Sequence, residues 1–182
     1  MSRNGTIIVR AGKALAVYLI FAALLYGLAI VVTGNFDNAS PSLREQYDAN
    51  GVLSFLGVVK SKIVGWNITS LIQSWLIASF FLSVSQHRES KVSSDSQGRR
   101  SMSLWVALFV LALAGTGFAF WRFITVAEIA AMLLDGKFMM LAVAGFVSSG
   151  LAFWLATGLA VTITLKPAVP LAETLLPSFW NR

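Results

Sequence analysis

Charge is absent from four long stretches of the chain, and the polar residues collect between them. Ala14 to Val32 gives 19 uncharged residues, Ile63 to Val84 gives 22, Leu104 to Trp121 gives 18 and Phe138 to Leu165 gives 28. A bilayer's hydrocarbon core of about 30 Å asks for about 20 helical residues. Each stretch therefore predicts a transmembrane helix, with spans at about 14–33, 63–84, 104–121 and 138–165. The fourth, at 1.5 Å of rise per residue, would reach about 42 Å, so it must tilt or protrude.

The connecting segments differ in kind. Gly34 to Gly51 is polar and turn-rich and reads as a solvent loop; its Asn38-Ala39-Ser40 sequon is read as a chance occurrence. From Val52 the apolar residues Val52, Phe55, Leu56, Val59, Ile63 and Trp66 recur at helical steps around Lys60 and Lys62. That pattern predicts an amphipathic interfacial lead-in running unbroken into the second span. Gln86 to Ser103 is the most hydrophilic run and reads as a flexible linker. Phe123 to Leu134 predicts a short helix lying in the outer interface. In the tail, residues 166–182, Pro167, Pro170 and Pro177 rule out a long helix. Its leucines and aromatics are too apolar to stay free, so it should dock.

These elements predict an all-α integral membrane protein: four transmembrane helices in two hairpins, with amphipathic interfacial helical segments on the outer side. Composition narrows the reading further. With 57% hydrophobic and 12% charged residues and a mean hydropathy of +0.74, the chain is wrong for a soluble domain. Its basic residues form no long stripe interleaved with aromatics, so nucleic acid is not an expected partner. If the amino terminus lies inside, the inner segments hold nine basic and three acidic residues and the outer segments five of each. The positive-inside rule favours that threading, with both termini cytoplasmic. A signal peptide shares the first span's charge order but has a shorter apolar core, so the first span is read as retained.

Candidate chemistry is sparse. There is no cysteine, and the lone His87 falls in the linker, so neither a metal centre nor a haem with paired histidine ligands is expected. No cofactor is predicted, and no gathered set of acids, bases or nucleophiles identifies an enzyme. Small residues are more telling. Ala144, Ser148, Ala152, Ala156 and Ala160 fall at four-residue steps, with Gly145 and Ser149 beside them. Such a knobless ribbon lets helix backbones approach closely where lipid gives no hydrophobic drive for association. Bulky Phe146, Phe153 and Trp154 are expected to lie off it.

The second span carries the polar side chains: Asn67, Ser70 and Ser74 share a face, with Gln73 adjacent. That face should meet other helices through hydrogen bonds, or else line a pathway. Gly115-Thr116-Gly117 reads as close contact with a neighbour rather than an unwound ion site. Trp105 and Trp121 are read as interface anchors. Arg122, Glu128 and Asp135 are the candidates for ion or lipid contact, Glu128 above all if it enters the bilayer.

The expected function is a non-catalytic integral subunit of a larger complex in a bacterial inner membrane. Its expected partners are other membrane-protein subunits and lipid. A small oligomeric transporter or channel is the alternative.

Overall fold

The long apolar stretches lack proline, and in lipid every backbone amide must find its partner within its own segment, so each becomes an uninterrupted helix. The computed structural model describes residues 3–89, 95–124, 136–161 and 168–171. Its helices are α1 (Arg3–Thr33), α2 (Pro41–Gln46), α3 (Ala49–Glu89), α4 (Asp95–Ile124) and α5 (Gly136–Ala160). Those over Val9–Thr33, Ala49–Ser85, Ser101–Arg122 and Met139–Ala160 are long and apolar enough to cross a membrane. The protein is an all-α, multi-pass membrane protein.

The surface confirms the solvent. Leu24 is 63% exposed and Val31 71%, side chains that water would penalise and acyl chains welcome. Helices α3 and α5 each pack against all three other long helices, and α1 and α4 flank this pair on opposite sides.

Local signals set the ends. The Asn38 side-chain amide donates to the Val32 carbonyl at 2.9 Å and closes α1, which is what the sequon asparagine does here. A single 3₁₀ turn, Phe36–Asn38, follows, and Pro41 opens α2 at a first-turn position that needs no N–H. Asp48 caps α3 by accepting from the Gly51 N–H at 2.8 Å. The expected solvent loop is thus largely helical turns. Lys137, near the start of α5, donates to the Asp37 carbonyl at 3.1 Å and ties α5 to the connector that follows α1.

The lead-in and the second span form one helix, as expected, and two other boundaries move. Helix α3 runs unbroken for 41 residues, about 61 Å, twice the hydrocarbon thickness. Its lead-in turns Val52, Leu56, Val59 and Ile63 onto Val32, Ala39 and Leu141, so that apolar face is covered by protein. The hydrophilic linker is shortened from both sides, since α3 continues to Glu89 and α4 begins at Asp95. Finally, α5 ends at Ala160 with Val161 already outside it, and residues 162–165 of the expected span lie outside the described residues. Ala168 and Val169 lie in the core, and the Trp154 indole nitrogen donates to the Pro170 carbonyl at 2.7 Å. The beginning of the tail therefore docks on the bundle; residues 172–182 lie outside the described residues.

Candidate functional site

A helix that must bury polar side chains in lipid needs partners for them on its neighbours. Helix α3 carries four such residues, and the fold seats them at the centre of the bundle. Ser74 is fully buried and accepts from the Tyr18 hydroxyl of α1 at 2.9 Å. It then donates to the Ser149 carbonyl of α5 at 3.4 Å. The Ser149 hydroxyl lies 3.0 Å from that of Thr116 in α4, and Thr116 donates back to the Ala112 carbonyl at 3.0 Å. Because Thr116 spends its only hydroxyl proton on Ala112, Ser149 must be the donor between them. Hydroxyl groups together with the Ser149 backbone therefore join all four long helices.

Two glycines complete this seam. A Cβ on Gly145 of α5 would occupy the space of the Asn67 carboxamide oxygen and the Trp66 indole. A Cβ on Gly115 of α4 would occupy the space of the Gln73 carboxamide. Both glycines serve as sockets for α3. Gly117 does not, since a Cβ there would stand in ordinary contact, 3.5 Å from the Phe146 ring. Helix α4 runs without a break through Gly115-Thr116-Gly117, which is close contact and not an unwound site. Trp66 is held from three sides: its N–H points to the Thr116 carbonyl at 3.4 Å, and its ring lies 5.2 Å from Phe120 and 6.1 Å from Phe146.

The seam is not fully satisfied. Both carboxamide atoms of Asn67 and the hydroxyl of Ser70 are buried and meet no hydrogen-bonding partner among the described residues. Asn67 also borders a crevice of about 260 Å³ between α1 and α3, where Ala22, Ala23, Tyr26, Ile68 and Leu71 supply apolar walls.

The small-residue ribbon is only partly one face. On a helix of 3.6 residues per turn, a strict four-residue step advances 40° each time. The five positions consequently wind round α5: Ala144 and Ser148 are half-buried, whereas Ala152, Ala156 and Ala160 are buried. The centre of the interface passes through Gly145 and Ser149 at its upper end. Ala152, Ala156 and Ala160 are thus spent on contacts with the protein's own helices, while Ala144 and Ser148 keep part of their surface uncovered.

Two aromatic expectations also change. Phe153 is fully buried, 5.6 Å from Trp105 and 5.8 Å from Phe109 between ring centroids. Trp105 is buried too, stacked 5.1 Å from Phe109 and donating its N–H to the Thr157 hydroxyl at 2.9 Å. It is a core residue rather than an interface anchor. Trp121, 56% exposed, does face the surroundings.

Arg122 is exposed at the end of α4, and Glu128 and Asp135 lie outside the described residues, so that trio is not brought together among them. Tyr18 and Thr157 were not singled out from the sequence, and Trp66 was read only as an apolar step of the second helix. For Tyr18 a signal existed, because a phenol deep within an apolar span, away from the interface belt, needs a hydrogen-bonding partner. No known protein family, no curated protein and no solved structure matches the chain.

Proposed function

We propose that the protein is a non-catalytic integral subunit of a larger membrane complex, and that partners dock on the outer side of α1 and α3. What supports this is a division of contact surfaces. Ala152, Ala156 and Ala160 of α5 are buried inside the bundle, whereas one set of small residues on α1 is uncovered. Gly12, Ala16, Ala23 and Gly27, spaced by four, seven and four, fall on one face of α1 and are all exposed. A Cβ added at Gly12 or Gly27, or at Gly57 or Gly65 of α3, would meet nothing within 4 Å. Beside this face lies the crevice bordered by Asn67, whose carboxamide still needs a donor and an acceptor. Close helix approach is the means by which membrane subunits associate.

The excess of basic residues in the inner segments supports a bacterial inner-membrane location with both termini cytoplasmic. Leucine at Ala23 and Gly27 together should strip native partners from the detergent-purified protein while insertion and yield stay unchanged. If the same partners co-purify with the double variant in the same amounts, docking through this face is wrong.

The unpartnered Asn67 and Ser70 favour a second reading, a small transporter or channel in which these groups contact a passing solute. On that reading Asn67→Leu abolishes flux of the transported ion or solute in proteoliposomes. Undiminished flux in that variant removes Asn67 from the route.

A further inference from the structure

A serine or threonine within a helix can settle its own hydrogen bonding by donating to the carbonyl four residues back. Thr33, Thr69, Ser83, Thr116 and Thr157 all do so. Ser70 of α3 does not, although it is only 2% exposed. Asn67 lies one turn before it on the same face and is 3% exposed, and neither end of its carboxamide is bonded. Three polar atoms on one turn of α3 therefore stand in the interior without a partner among the described residues.

The polar groups nearby are already committed. The Tyr18 hydroxyl goes to Ser74, the Ser149 hydroxyl to Thr116 and the Trp66 indole to the Thr116 carbonyl. Acyl chains offer neither donor nor acceptor. Along the bundle the pair is shut in, by the apolar cluster of Val59, Ile63 and Leu141 on one side and that of Ala78, Phe81 and Phe153 on the other. The opening is lateral: Asn67 borders the crevice of about 260 Å³ between α1 and α3. Water, at about 30 Å³ per molecule in the liquid, fits there with room to spare.

Distance selects the occupant. Side chains three residues apart on a helix have Cβ atoms about 5–6 Å apart. One water molecule, with hydrogen bonds of about 2.8 Å to either side, spans such a gap and supplies both the donor and the acceptor that the two side chains need. Three polar partners also match the two to four that hold an ordered internal water. We propose that Asn67 and Ser70 form an internal hydration site, in which water admitted through the α1–α3 crevice bridges the carboxamide to the hydroxyl. The site needs neither a docked subunit nor a transported solute. A helix laid over the outer side of α1 and α3 would cover the mouth of the crevice and leave the water inside.

The test is water-edited solid-state NMR of the full chain in liposomes, which times the passage of magnetisation from water to individual N–H groups. The Asn67 side-chain amide should receive it several-fold faster than the Trp105 indole N–H, which is buried and donates to Thr157. Ser70→Ala, which takes away one end of the bridge, should slow the transfer to Asn67 by half or more and lower the unfolding midpoint in mixed micelles. Transfer to Asn67 no faster than to Trp105 in the wild type overturns the proposal, and that comparison needs no variant to fold. So does an undiminished rate in Ser70→Ala, or a higher midpoint, which is the result of removing a hydroxyl that had been buried dry. Transfer to Asn67 from lipid glycerol or a retained solute instead of water overturns it as well.

Discussion

Phe153→Ala will destabilise the bundle by about 3–5 kcal/mol, the range for deleting a fully buried phenyl ring. The ring is fully enclosed and lies within 6 Å, between centroids, of both Trp105 and Phe109. Lipid cannot reach the space it would vacate, so the lost contacts are not replaced. Because helix association in a bilayer rests on such contacts rather than on release of water, their loss counts directly. The comparison is Phe80→Ala on α3, where the ring is 56% exposed and acyl chains replace what is removed. That change should stay within about 0.5 kcal/mol. Unfolding in mixed detergent micelles measures both, and similar losses for the two variants would contradict the buried aromatic cluster.

Gly145→Ala has the second largest expected effect, a loss of about 1–3 kcal/mol from overfilling. The new methyl group falls where the Trp66 indole and the Asn67 carboxamide already lie. Neither yields easily: Trp66 is bonded to the Thr116 carbonyl and set between Phe120 and Phe146, so α3 and α5 must separate. Gly145→Leu should prevent the closed bundle from forming at all. Gly117→Ala adds the same methyl group into ordinary contact and should be close to neutral, within about 0.5 kcal/mol. The socket at Gly145 is refuted if the two alanine variants unfold together. Gly115→Ala should fall between them, because the obstructing Gln73 carboxamide is the far end of a flexible chain.

What could be read from the chain follows the range of each interaction. The four spans were legible because freedom from charge over about 20 residues is a local property with few alternative meanings. The Val52–Trp66 periodicity was legible as helix for the same reason. It did not reveal what would cover that face, because Val32 and Leu141 come from elsewhere in the chain. The ribbon on α5 was legible as a contact surface but not in its path. A four-residue step looks straight in sequence and drifts on a real helix, which shifted the centre of contact from Ala144 and Ser148 to Gly145 and Ser149. Trp105 was misread because an indole near the end of a span satisfies the anchor pattern by position alone. Its bond to Thr157, 52 residues away, decides otherwise. Of the polar residues on α3, Ser74 found its partners in Tyr18 and Ser149. The placement of Asn67 and Gln73 depends on two glycines that nothing local to α3 discloses.

The order of synthesis gives one of these features a further consequence. Helix α5 supplies the Ser149 carbonyl, the Gly145 recess and Phe153, yet it follows the other three spans in the chain. Until it leaves the translocon, α3 confronts lipid with Asn67 and Ser74 only partly accommodated. The first three spans are therefore a provisional assembly, open to recognition by membrane proteases or insertion chaperones, and the fourth acts as the keystone that ends their vigilance.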